Sequence, residues 1–173
     1  GMDKPNSGTI KIDNEDITVK TKSQLVDFRL KNIGFVFQAY NLIPVLTAKE
    51  NVEFIMNLQG IPKKEREKRS TDLLKEIGLA ERMKYRPAKL SGGQQQRVAV
   101  ARALAPKPKY ILADEPTANL DHESAETLLS IMEKLNVEEN ITFIFSTHDE
   151  RVMKKAKRIV TLSDGKITSD KHI

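Results

Sequence analysis

Two sets of residues in this chain could do chemistry: one has the types and spacing to handle an anion, and the other is a group of polar side chains that follow apolar runs. The first is Leu90-Ser91-Gly92-Gly93-Gln94-Gln95-Gln96-Arg97, which precedes an apolar run from Val98 to Ala105 closed by Pro106. Ser91 and Gln94 stand three apart, the spacing of a capping box, in which the hydroxyl accepts from an early helix N–H and the amide reaches back. Gly92 and Gly93 lack a Cβ, so a phosphate of another molecule can approach the backbone. A helix N-terminus gathers unpaired N–H groups and the positive end of the dipole, which suits an anion. The same residues equally describe an ordinary capped helix after a glycine turn. The second set is dispersed: Gln38, Asp114, Glu115 and His148 each follow a short apolar run. Each has a plain alternative, namely a polar strand cap for Gln38, a solvated turn for Asp114-Glu115, and a structural role for His148.

The elements around these residues explain why they should meet. Ile33 to Phe37, Tyr110 to Ala113, Thr142 to Ser146 and Arg158 to Ser163 read as strands. Residues 9–19 read as a hairpin with a polar turn at Asp13-Asn14-Glu15-Asp16. Ser23 is the expected N-cap of a helix reaching Leu30. Residues 39–90 read as an all-helical insert. Its parts are a helix from Ala48 to Leu58 capped by Thr47, a second from Lys63 to Ile77 stopped at Gly78, and a short third helix from Ala80. A long helix from Glu123 to Leu135 separates two strands. Such alternation predicts an α/β fold whose mostly parallel sheet is covered on both faces. Ligands bind such sheets at the carboxyl ends of the strands, so Gln38, Asp114, Glu115 and His148 should converge.

Composition narrows the classes. At 173 residues the chain is one domain by length. It has no cysteine, which removes disulfides and thiolate metal sites. No cluster of His, Asp and Glu has zinc-ligand spacing, and His122 and His172 receive no role. No apolar run approaches the length of a membrane span. The net charge of +5 suits nucleotide phosphates, acidic lipid or nucleic acid. Aromatic residues are only 5% and Trp is absent, which argues against a stacking platform and specific nucleic-acid binding.

Leu90-Ser91-Gly92-Gly93-Gln94-Gln95-Gln96-Arg97 resembles the signature motif of ATP-binding cassette (ABC) transporter ATPases. Tyr110 to Thr117 resembles their Walker B segment, Asn119-Leu120-Asp121 the D-loop, Ser146-Thr147-His148-Asp149 the switch-histidine motif, and Phe35-Val36-Phe37-Gln38 the Q-loop. The five motifs stand in family order, the match as a whole runs from about Asp3 to Gly165, and the wording around Gln38 is similar to the lipoprotein-release, macrolide-export and antimicrobial-peptide-export branch. The resemblance implies a P-loop NTPase-like fold whose residues 39–90 face a membrane permease. It implies that Asp114 holds Mg²⁺, for which one carboxylate is chemically sufficient. Glu115 is then the general base toward the water that attacks ATP. Gln38 reaches Mg²⁺ or that water, and His148 bonds the γ-phosphate. Ser91, Gly92, Gly93 and Gln94 act in trans on ATP held by a second ATPase subunit, and Asp121 communicates across that homodimer, with helix capping as its alternative. The implied location is the cytoplasm, peripheral on the inner face of the cell membrane.

The family places a phosphate-cradling Gly-x-x-x-x-Gly-Lys-Ser/Thr loop, the Walker A loop, upstream of the Q-loop. No such pattern occurs in residues 1–173. The expectation is that the N-terminal strands, the Walker A loop and its helix are missing. This polypeptide alone would then be impaired or inactive as an ATPase. Exposed apolar faces and unpaired strand edges should accompany that loss, with self-association, a swapped strand or a rearranged sheet. The alternative is a non-catalytic module that lends its signature motif to a full-length partner.

Overall fold

The computed structural model describes residues 5–173, so Asp3, where the resemblance begins, lies outside them. The chain runs through a small hairpin, β1 (Lys11–Ile12) and β2 (Glu15–Asp16), into helix α1 (Lys22–Asn32) and strand β3 (Ile33–Val36). Helices α2 (Ala48–Leu58) and α3 (Lys63–Glu76) follow, then 3-10 turns at Ala80–Arg82 and Pro87–Lys89, and helix α4 (Gly92–Leu104). The remainder is β4 (Tyr110–Asp114), α5 (His122–Glu138), β5 (Thr142–Ser146), α6 (Glu150–Lys155), β6 (Arg158–Ser163) and β7 (Lys166–His172).

Strands β3, β4 and β5 form a parallel sheet with β4 in the middle. Helix α4 is apolar on nearly its whole circumference because it serves two cores. Val98 and Ala101 join Val52, Met56, Leu73, Leu74 and Ile77 of the helical insert. Val100, Ala103 and Leu104 join Val36, Ile111, Leu128 and Met132 between the sheet and α5. The helix lies so close to β3 that a Cβ at Gly34 would stand 2.6 Å from the Ala103 carbonyl oxygen. Only glycine fits that crossing.

Five expectations need correction. The hairpin turn is Asp13-Asn14 alone, both left-handed, because Glu15 and Asp16 pair with Ile12 and Lys11 as β2. Helix α1 is capped by Thr21, not Ser23: Thr21 Oγ1 accepts from Gln24 N, and Gln24 Oε1 accepts from Thr21 N at 2.8 Å. Ser23 has Val26 three residues on and cannot close such a box. Helix α5 continues three residues past Leu135, because its end is set by the left-handed Asn140 (φ 52°) and not by the apolar stripe. Residues Ala80–Arg82 are a single 3-10 turn. Strand β6 does not join the parallel sheet; it pairs antiparallel with β7, and the described part of the main sheet ends at β5. Among the described residues, helices close that sheet on one face only. On its other face Ile144 is 51% and Phe37 39% exposed.

Candidate functional site

The parallel register brings the strand exits to one end of the sheet. Val36 lies beside Ala113, Ala113 beside Phe145, and Asp114 beside Ser146. Gln38, Asp114, Glu115, Thr147 and His148 therefore leave the sheet together. At this end the chain must turn from β4 into a loop, and Glu115 makes the turn with a left-handed φ of 42°. Its N–H donates to Ser146 O at 2.9 Å, which ties the turn to the end of β5. The side chain is thereby aimed across β5. Glu115 Oε2 accepts from Thr147 Oγ1 at 3.0 Å, and Oε1 accepts from His148 N at 3.2 Å and lies 2.6 Å from His148 Nδ1. Partial burial pushes the Glu115 carboxyl up, but the bonds from His148 and Thr147 outweigh it and hold the group below its ordinary value. Glu115 is thus a carboxylate at neutral pH, with its side chain about one-fifth exposed beside an open His148 at 89%.

The adjoining Asp149 anchors the same loop. It caps α6 through Arg151 N and accepts from the Arg151 guanidinium and from Thr117 Oγ1 at 2.7 Å. Arg151 chiefly, with Thr117, holds the Asp149 carboxyl well below the usual carboxylate range despite some desolvation. Thr117 is buried at 1% exposure, so this bond is shielded from water.

The signature end forms the second wall. The capping box is present, with Gln94 N donating to Ser91 Oγ at 3.3 Å and Ser91 N to Gln94 Oε1 at 3.0 Å. The space that a Cβ would take at Gly92 is held by the Tyr40 hydroxyl, and at Gly93 by Ser124 Oγ, each at 2.8 Å. Both glycines therefore serve packing within the chain, a use their sequence reading did not include. Asp121 caps α5 by accepting from Ser124 N at 2.9 Å. Asn119 Nδ2 donates to Gln38 O at 3.0 Å, and Arg102 donates to the carbonyls of Tyr40 and Asn41, which tie the Gln38 segment to this wall.

Sequence reasoning placed Gln38, Asp114, Glu115 and His148 at one sheet end, and the structure brings Glu115 and His148 into contact. It missed Thr117, Asn119, Arg102 and Arg151. Thr117 and Asn119 stood inside the Walker B and D-loop segments without a role of their own, and Arg151 left a local signal two residues after a helix-capping Asp. Among the described residues no group of three or more His, Asp and Glu could cage a metal. Asp114 fits Mg²⁺ differently. That ion is commonly held by one or two carboxylates, its own waters and substrate phosphates.

A family model described as ABC transporter matches residues 1–118. The uncharacterized ABC transporter ATP-binding protein YvrO of Bacillus subtilis is 46% identical over 171 residues, which span 99% of this chain and 74% of that protein. The lipoprotein-releasing system ATP-binding protein LolD 1 of Caulobacter vibrioides is 45% identical over 169 residues, 96% of this chain and 72% of its own length. Among solved structures, a dimeric post-hydrolysis state of the ATP-binding cassette MJ0796 bound to ADP and Pi superposes with a TM-score of 0.88 at 42% identity. It covers 99% of this chain and 75% of that one.

Proposed function

Because this chain belongs to the ABC transporter ATP-binding family, we propose that its strand-end cluster hydrolyses Mg-ATP to drive export through a membrane permease. The observation that carries the reading is the Glu115 carboxylate, turned by a left-handed backbone onto Thr147 and His148 beside Asp114. In this reading Asp114 holds Mg²⁺, which supplies charge neutralisation at the phosphates when bound. Glu115, ionised at neutral pH, accepts the proton of the attacking water. His148, whose exposed ring is bonded to Glu115, exchanges that bond for one to a γ-phosphate, and Gln38 approaches the same end from β3. Ser91, Gly92, Gly93 and Gln94 meet ATP held by a second ATPase subunit, with Asp121 at that interface, and the insert spanning residues 39–90 docks on the permease at the inner membrane face.

Residues 1–173 contain no phosphate-cradling loop. A polypeptide of these residues alone therefore binds ATP weakly or not at all, since backbone N–H groups and a lysine of that loop carry much of the affinity. An equilibrium titration of residues 1–173 with Mg-ATP checks this expectation, and micromolar affinity would refute it. In an assembly that turns over ATP, Glu115→Gln should lower the rate ~100- to 10,000-fold. A loss under about tenfold removes Glu115 from the role of base.

A further inference from the structure

One buried side chain of α4 reaches both strand exits. Gln96 is 0% exposed; its Oε1 has no hydrogen-bond partner among the described residues, so the amide is held through its nitrogen alone. Its Nε2 donates to Pro116 O at 2.8 Å and comes within 3.4 Å of Phe37 O. Those carbonyls belong to the residues that flank Glu115 and Gln38. Glu115 itself, at φ 42°, occupies a conformation that L-residues with a Cβ adopt only when their surroundings over-determine it. On the β5 side it is pinned by its own N–H on Ser146 O. On the α4 side the pin is Gln96, acting one residue later on Pro116. Tyr40 and Asn41, also left-handed at φ 53° and 48°, are held from the same helix by Arg102. The helix thus grips the backbone on each side of the two polar exits through carbonyls.

We propose that Gln96 is a positioning residue: by holding the Pro116 and Phe37 carbonyls it locks Glu115 in its left-handed conformation and fixes the span from Glu115 to Gln38. The locked turn is what directs the carboxylate onto Thr147 and His148. Gln96 lies two residues beyond Gln94, so a movement of the first turn of α4 on meeting a partner's nucleotide reaches Glu115 directly. That coupling rests on the ATPase reading; the lock does not.

Nuclear magnetic resonance on the isotope-labelled chain tests it. A left-handed residue brings its amide proton close to its own Hα and gives a strong intraresidue Overhauser effect. Wild type should show this at Glu115 and at the distant Asn140, whose φ is 52°. Gln96→Met keeps the length and bulk of the side chain and removes its donors. The Glu115 signal should then fall to roughly a third as φ turns negative, with Asn140 unchanged. A Glu115 signal that survives in folded Gln96→Met means that Gln96 only fills space, and overturns the proposal. If that variant does not fold, wild type decides. The Gln96 side-chain amide protons should exchange with solvent at least about tenfold more slowly than those of exposed Gln24, and equal rates overturn the lock. Neither readout involves ATP. A chain whose relatives' ATPase role does not apply would fail the Glu115→Gln test and still show the Glu115 signal lost in Gln96→Met.

Discussion

The helical insert and the parallel sheet are both packed against α4, yet they are enclosed to different degrees. In the insert, Val52, Leu73, Leu74 and Ile77 are 0–1% exposed, closed in by α2, α3, α4 and the turns that follow α3. In the sheet, Ile111 and Ala113 face α4 and α5 at 0–2%, while Ile144 on the other face stands 51% open. Parallel sheets are ordinarily covered on both faces. The insert is therefore finished as a packed body, and the sheet is finished only on the side that bears α4. What the sheet has on its carboxyl rim is a polar network, Thr117–Asp149–Arg151 and Glu115–Thr147–His148, which orders the strand exits without apolar cover.

The sharpest way to break this contrast is a pair of truncations read by urea unfolding. Leu74→Ala in the insert should cost ~2–5 kcal/mol, because the cavity is sealed on every side. Ile144→Ala should cost less than about 1 kcal/mol, since the residue is already half exposed to solvent. Equal losses would mean that the open face is covered in solution, for example by another copy. A smaller effect sharpens the part played by the rim. Asp149→Ala removes the partner of the buried Thr117 and of Arg151, and should cost ~1–3 kcal/mol at neutral pH. The folded Asp149 carboxyl titrates below its ordinary 3.8. Its contribution is thus complete above the unfolded value and is lost as pH falls through the lower folded one. Stability measured from pH 7 downward should show wild type and Asp149→Ala drawing together below about pH 4. A constant gap would place the loss in packing and not in the carboxylate. The smallest expected effect is Ser91→Ala, about 1 kcal/mol by thermal melting, for the cap of a helix whose flanks are already buried.

Legibility followed the range of the interaction. The bounds of β5 and β6, and the caps at Thr47 and Ser91, stand in the local sequence as apolar runs and as Ser or Thr followed three residues later by Glu or Gln. The β6–β7 hairpin also had a local sign in Asp164-Gly165, both left-handed, although the polar residues of β7 hide its strand. The partner of β6 was not legible, because strand composition does not name the neighbour. In the site, the end-of-strand placement of Gln38, Asp114, Glu115 and His148 followed from periodicity alone. Their bonds did not. The turn at Glu115 is imposed by Ser146 and Gln96, residues 31 positions after it and 19 before it, and nothing in the Asp-Glu-Pro wording announces a positive φ.

Helix α4 places Val98 and Ala101 in one cluster and Val100 and Leu104 in the other. Neither cluster can loosen without stripping a wall from its neighbour. The chain is consequently built to melt as a single cooperative unit: the insert has no independent life as a miniature domain, and heat should find one transition where the layout of the chain suggests two.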